Sequence, residues 1–510
     1  TVTVITDQPP GVSRHTAVVA GGAILAVVAG LAVLVGGPYA LLAEIGLIVF
    51  ALVLRWPVLG LYLTTALLLL SGPSGVIGPV RVAIPVTAAK VAGAMTFASW
   101  LINAALRRER IRLGWESVPL LALFLWSALG VFLSDTWRLQ WPEWFRLGTL
   151  VAYYILSVNL LNSQERIHVF TMVVVYCGVA MALFAVAQYF IPAFHLNAET
   201  AIADIGAGVE GAFVDPESLN GEAAVRVSGR AGHSNWLALI ILIIMPLNVY
   251  WYAVAASRKA RTFCVCAVVV EIIALILTFT RTGFLVGLVI FAVLGVRRLV
   301  RVNPPRLAYV AFAVVLALLA LPPAYKERVF DLDKYTQSDS VRHRLQLQDA
   351  AWEMVLEEPV WGVGLSGYGL RIVDGDSDVA HIMRWLVDEM HWDPRIIGTH
   401  NMYLQLASET GLPGLALMLL FFGIMLRYLG KAERSYLNLG NEPAATLVMS
   451  LQVSLLSFLL CAIFLHALQQ KIWWMMASIA AVVPLYTAGV AGRRAGAPAP
   501  AEHASFAGES

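Results

Sequence analysis

The chain has 510 residues, 59% of them hydrophobic and 13% charged, a balance that excludes a water-soluble globular protein of this size. A net charge of +2 gives no broad basic surface, so nucleic acid is not indicated as a partner, nor is a polybasic surface role. The four cysteines, Cys177, Cys264, Cys266 and Cys461, lie inside apolar runs rather than in loops where disulfides form, and they read as small packing residues.

Taken in chain order, apolar runs close to the length that crosses about 30 Å of hydrocarbon recur about fourteen times. They lie near 17–35, 39–54, 57–70, 84–104, 117–133, 148–161, 167–190, 234–254, 262–279, 282–296, 307–322, 411–427, 444–465 and 472–491. The first run follows Arg14 and shows no small-residue cleavage site between Gly30 and Gly37, so it is expected to remain as a span. Basic residues cluster in alternate loops: Arg107, Arg108, Arg110 and Arg112; Arg258, Lys259 and Arg261; Arg297, Arg298, Arg301 and Arg306; Arg427, Lys431 and Arg434; Arg493 and Arg494. The positive-inside rule makes these loops cytoplasmic and places both termini inside.

The expected fold is therefore an all-α polytopic membrane protein with about fourteen transmembrane helices and two long outer loops. Its organisation reads as a cytoplasmic segment 1–16, N-terminal transmembrane helices 17–190, an outer loop 191–233, and transmembrane helices 234–322. A larger outer loop 323–410 with short helices, C-terminal transmembrane helices 411–491 and a disordered cytoplasmic tail 492–510 complete it.

Local patterns add detail. Trp137, Trp141 and Trp144 form an aromatic segment of the kind that anchors a loop at headgroup level. In the larger outer loop, Val341, Leu345, Trp352 and Val355 fall along one face of a helix that Pro359 stops, and this helix is expected to lie on the roof of the membrane domain. Gly362-Val-Gly-Leu-Ser-Gly367 has the spacing of a dinucleotide loop but no strand–helix context, so it reads as a turn. Asp374, Asp376 and Asp378 resemble the start of a calcium loop, yet Val379 and Trp385 occupy positions that loop needs for Gly and Glu; the stretch reads as a solvated acidic turn. His381, His391 and His400 have no metal-binding spacing, and no G-x-S-x-G nucleophile element occurs.

Two positions carry chemistry. The stretch Gly398-Thr-His-Asn-Met-Tyr-Leu-Gln-Leu-Ala-Ser-Glu-Thr-Gly411 puts the imidazole of His400 at the mouth of a span, where a titratable side chain reads as a proton handler. Thr278-Phe-Thr-Arg-Thr-Gly283 is a hairpin tip between two spans, and the guanidinium of Arg281 at that membrane edge calls for an anionic partner. Guanidinium groups together with one imidazole suit transfer from a phosphate or diphosphate leaving group, the arginines neutralising the anion and the histidine taking a proton from an incoming hydroxyl.

These residues resemble the O-antigen ligase and polymerase superfamily in four ordered elements spread over about residues 85–490. Arg226-Val-Ser-Gly229 through His233-Ser-Asn235-Trp-Leu-Ala is similar to an Arg-x-x-Gly…Pro-Asn-x-x-Ala element, with Ser234 where proline is usual. Thr280-Arg281-Thr-Gly resembles the Ser-Arg element. Arg344 with Ala351-Trp352, then Pro359-Val-Trp-Gly-Val-Gly364, resembles the outer-loop helix and turn. His400-Asn401-x-Tyr403-x-Gln405, with Glu409 and Gly411, resembles the signature.

The resemblance implies glycan transfer from a polyprenyl diphosphate carrier at the outer, periplasmic face of a bacterial inner membrane, without cofactor, metal or nucleotide sugar. It assigns His400 as the base, Arg281 and Arg226 to the diphosphate with Arg230 able to stand in for Arg226, and supporting places to Asn235, Arg344, Asn401, Tyr403, Gln405 and Glu409. The acceptor is lipid A-core for a ligase, a second lipid-linked glycan for a polymerase, or a protein hydroxyl for an oligosaccharyltransferase; ligase is placed first because two long outer loops provide room for a large acceptor. A transporter would also be polytopic with intramembrane cations. Clustering of the candidate chemistry at the outer face, the size of the 323–410 loop and the lack of paired helix breaks weigh against it.

Overall fold

The computed structural model describes residues 38–71, 87–191, 194, 227–297, 339–389 and 393–485. The expected spans 17–35 and 307–322, Arg226, most of the first outer loop and the tail lie outside the described residues. Among the described residues the chain is helical, with no strand. In chain order the helices are α1 (Pro38–Arg55), α2 (Pro57–Leu70), α3 (Ala88–Arg107), α4 (Val118–Leu133), α5 (Trp137–Leu160), α6 (Gln164–Phe190), α7 (Ser234–Val254), α8 (Arg258–Leu277) and α9 (Arg281–Val296). They continue as α10 (Asp339–Glu357), α11 (Gly367–Val373), α12 (Asp378–Asp388), α13 (Met402–Asn438), α14 (Glu442–Cys461) and α15 (Lys471–Val482). Every expected span that falls on described residues overlies one of these helices. Among the described residues, seven helices are long and apolar enough to cross a membrane, and three shorter apolar ones, α2, α9 and α15, accompany them.

Lipid gives apolar side chains no reason to leave it, so association of such helices depends on close packing and on hydrogen bonds between them. Both are present. A Cβ on Gly178 would lie 2.6 Å from Ile244 Cδ1, so the glycine lets α6 and α7 approach closely, as Gly60 does for α2 and α3 beside Thr96. Ser454 of α14 donates to the Ile243 carbonyl of α7 at 2.7 Å, and the hydroxyls of Thr65 and Tyr153 join α2 to α5 at 2.7 Å. Helix α15 is apolar all round and buried from Ile472 to Val482, the pattern of a central helix. It packs on α5, α13, α14, α2 and α7.

Three local expectations change. The tryptophan segment is helix and not loop: it forms the first turns of α5, with Trp137 and Trp141 exposed and Trp144 stacking on Phe124 of α4 at 4.7 Å. Helix α10 forms where predicted but buries Leu347, Ala351, Met354 and Val355, while Leu345 and Trp352 are exposed. The reason is tertiary: α11, α12 and Ile397 form a small core of their own on that face, with Tyr368 donating to the Leu347 carbonyl at 2.6 Å. Finally, α13 begins at Met402 within the expected loop and bends at Gly411, where φ is 69°.

That bend receives the glycine-rich turn. Val363 N–H donates to Ser408 O at 2.9 Å and Leu412 N–H to Pro359 O at 2.8 Å. A Cβ on Gly362 would sit 2.5 Å from Glu409 backbone carbon, and one on Gly411 2.1 Å from Val360 O. Both glycines have positive φ, so conformation and space both demand glycine there. The sequence reading of Gly362–Gly367 as a turn holds. The acidic stretch is likewise a helix junction: Ser377 caps α12, and Arg384 closes the turn through Val373 O at 3.1 Å and Gly375 O at 2.6 Å.

Candidate active site

At one end of the bundle a cavity of about 390 Å³ opens between the ends of α2, α5, α7, α13 and α15 and the α11–α12 cap. Its charged lining comprises Arg146, Arg230, Arg395 and Lys471 against Glu143 and Glu409, with His233, His400 and His466 among them. Of the basic segments in the positive-inside argument, the one holding Arg112 belongs to the other end of the helices. Arg112 N–H donates to Asn159 Oδ1 at 2.7 Å; Asn159 stands 13 residues beyond Arg146 on α5, roughly 20 Å along a helix.

His400 sits in a turn fixed from several sides. Thr399 Oγ1 donates to Asn401 O at 2.6 Å and accepts Asn401 N–H at 3.0 Å. Asn401 Oδ1 then caps α13, accepting the N–H groups of Tyr403 and Leu404 at 3.0 and 3.2 Å, which satisfies donors that every helix start leaves open. Met402 N–H reaches Ala462 O at 2.9 Å, tying the turn to the end of α14. The result is a φ of 55° at His400, a left-handed conformation costing of order 1–3 kcal/mol that persists only where surroundings over-determine it.

Behind the turn runs a polar chain. Gln405 Oε1 accepts Thr399 N–H at 3.2 Å while its amide donates to Glu409 Oε1 at 2.9 Å. Tyr403 points elsewhere, its hydroxyl donating to Leu459 O at 2.8 Å. Of the expected site residues, His400, Arg230, Asn235, Gln405 and Glu409 line the cavity. Asn401 and Tyr403 act on the framework that holds it.

The 227–233 segment is carried by Gln188 of α6, whose side-chain oxygen accepts Ser228 and Gly229 N–H at 3.1 and 3.0 Å. His233 caps α7, Nδ1 accepting Asn235 N–H at 2.9 Å. Ser234 is thus the first helical residue, a position where proline is at home and serine is equally compatible. Arg230 donates through Nε to Leu70 O at 3.2 Å.

Arg281 opens α9 with Thr280 as its cap residue, beside the same segment, because Val227 N–H bonds to Leu277 O at 3.2 Å. It is half-buried and is not among the cavity-lining residues; Arg344, half-buried on α10, is not among them either.

Several lining groups were not singled out from sequence as site residues. Arg146 pairs with Glu143 at 3.3 Å. Arg395 grips Asp393 through Nε and Nη2, and that hydrogen-bonded carboxylate holds its guanidinium still more firmly protonated than usual. Lys471, at the start of α15, donates to Leu68 O at 3.5 Å. His466, on the α14–α15 loop, meets His400 ring to ring at 5.5 Å and Trp236 at 6.1 Å; Trp236 in turn meets His233 at 5.8 Å. The sequence signal for these was the polar break His466-Ala-Leu-Gln-Gln-Lys471 between two apolar runs.

Chemically, the site offers anion-binding cations, carboxyl groups and imidazoles in a half-enclosed space between apolar helices, a set suited to holding an anionic leaving group while a proton is removed from a hydroxyl. No curated protein matches the chain. Residues 265–419 match the model of the O-antigen ligase family, a stretch running from α8 through Arg281, the α10–α12 cap and His400 into α13. Over that stretch the chain is similar to the O-antigen ligase family, and the match supports its place in the O-antigen ligase superfamily.

Proposed function

We propose that the protein transfers a glycan from a polyprenyl diphosphate carrier to an acceptor hydroxyl at the periplasmic face of the inner membrane, with lipid A-core as the acceptor. The observation that carries this reading is His400: an imidazole on a strained, braced backbone turn in a cavity wall that also presents four cations, inside the stretch that matches the family. In the reaction, His400 takes the proton of the acceptor hydroxyl as its oxygen bonds to the anomeric carbon. The bond from that carbon to the diphosphate oxygen breaks, and its electron pair leaves with the carrier diphosphate. One displacement inverts the anomeric centre.

Arg281, Arg226 and Arg230 are assigned to the diphosphate, where charge-assisted hydrogen bonds neutralise the leaving group. Arg230 lines the cavity, and Arg281 stands at the edge of the segment that delivers it. Glu409 and Gln405 brace the turn that presents His400. A polymerase using a second lipid-linked glycan, or a protein O-oligosaccharyltransferase, would use the same steps with a different acceptor.

The test is a detergent assay with lipid diphosphate-linked glycan, offered lipid A-core in one tube and donor alone in the other. Product only with lipid A-core establishes a ligase. Lengthening of the lipid-linked chain without it establishes a polymerase and overturns the acceptor assignment.

A further inference from the structure

The His400 turn is braced on its backbone by Thr399, Asn401, Gln405 and Ala462 O, but those bonds leave the direction of the imidazole ring to its neighbours. One neighbour is His466, whose ring stands at 76° to that of His400 with centroids 5.5 Å apart. Its approach depends on Gly398: a Cβ there would lie 2.7 Å from His466 Cγ and 2.8 Å from His466 Nδ1, closer than real side chains tolerate.

The loop carrying His466 is itself held. Phe464 N–H donates to Cys461 O at 2.9 Å, and Gln470 N–H to Ala467 O at 3.1 Å. The indoles of Trp473 and Trp474 both donate to Leu468 O, at 2.9 and 3.1 Å. The same loop receives Met402 N–H through Ala462 O, so both imidazoles ride on one connected piece of backbone and line one cavity.

We infer that His466 is a positioning residue for His400, a role that rests on the glycan-transfer reading above. Packed against the His400 ring, it fixes the ring's orientation and thereby which nitrogen faces the acceptor hydroxyl. His466 takes no part in the bond changes. The proton goes from acceptor oxygen to His400, and the electron pair leaves with the diphosphate.

The test uses the full-length purified protein in detergent and compares wild type with His466→Ala, His466→Phe and Gly398→Ala, reading kcat and KM for the lipid-linked donor. His466→Ala removes the ring packed on His400, and kcat is expected to fall about ten- to a hundredfold, as misplacement of a reacting group does, with KM for donor little changed. His466→Phe, which keeps an aromatic ring at that position, is expected to recover most of the loss. Gly398→Ala keeps both imidazoles in the chain, but its Cβ would press on Gln405 Oε1 at 2.8 Å as well as on His466; it should lower kcat in the same way, giving a second reading if His466→Ala fails to insert.

The inference is overturned if His466→Ala and Gly398→Ala keep kcat within about twofold of wild type, if His466→Phe recovers nothing, or if the variants lose donor binding and thermal stability together with activity, which would mark loop packing alone. A wild-type protein that transfers no glycan would instead sink the functional reading, so the two failures are distinguishable.

Discussion

At the level of single residues, the chemistry depends on how an unfavourable backbone conformation is held. His400 adopts φ 55° because Thr399, Asn401, Gln405 and the end of α14 leave its backbone no alternative. If it is the base, His400→Ala should lower turnover about 10²- to 10⁴-fold while binding of lipid-linked donor persists, measured with labelled donor in detergent; loss of donor binding would contradict a purely proton-handling role. Arg281→Ala should do the opposite and abolish donor binding itself, because its guanidinium is assigned to the diphosphate. Unchanged donor affinity in that variant would move the diphosphate to the cations that line the cavity.

His400, Asn401, Gln405 and Glu409 were legible in the sequence because they lie within ten residues of one another and their spacing survives folding. His233, His466 and Lys471 were not. Each lies in a short polar break between apolar runs with nothing to mark a shared site, and only the tertiary path that brings the ends of α7 and α14 and the start of α15 to one cavity reveals what they share.

Among elements, the junction between the glycine-rich turn and the α13 bend transmits the position of the α10–α12 cap to the His400 turn. Gly411→Ala would place a Cβ 2.1 Å from Val360 O at a φ of 69°. Strain alone costs of order 1–3 kcal/mol, so lower thermal stability in detergent and reduced turnover are expected together. A variant with wild-type melting and activity would show that the turn can undock without consequence. The Gly362–Gly367 turn was legible because no strand accompanied its glycines. The face of α10 was not, since periodicity identifies an apolar stripe but not which neighbour covers it; the companion core from α11 and α12 decided that Leu347 and Met354, rather than Leu345 and Trp352, go inside.

A second element-level device is the pairing of α7 with α8 through Asn248, whose amide donates to Glu271 Oε1 at 2.7 Å deep in the apolar bundle. Removing the donor while leaving the buried carboxyl should cost about 1–3 kcal/mol. Asn248→Ala is therefore expected to melt at lower temperature than wild type, and so is Glu271→Leu, which leaves the buried Asn248 amide without its acceptor. Equal melting of Asn248→Ala and wild type would contradict this.

Across the whole molecule, the described helices run between a cavity end and an end that carries Arg112. Composition made the membrane class legible at once, and the positions of the helices followed from apolar runs, because in lipid the backbone must satisfy itself within helices. The centrality of α15 was not legible: its apolar sequence reads like any span, and only its burial from Ile472 to Val482 shows that it forms the middle of the bundle. The orientation proposed here predicts labelling. In a protein freed of Cys177, Cys264, Cys266 and Cys461, a single cysteine replacing Trp385 should react with a membrane-impermeant thiol reagent on cells with a permeabilised outer membrane, whereas one replacing Arg110 should not; the reverse pattern would invert the topology.

The central claim is that the cavity performs transfer chemistry and does not serve as a transport path. Its most direct test is turnover of lipid diphosphate-linked glycan by the purified protein in detergent micelles, where no second compartment exists, comparing wild type with His400→Ala in the presence of lipid A-core. The expected result is glycosylated acceptor and released polyprenyl diphosphate from wild type and neither from His400→Ala, with both proteins binding donor. Bound donor without product from wild type, or equal product from the two, would contradict the account.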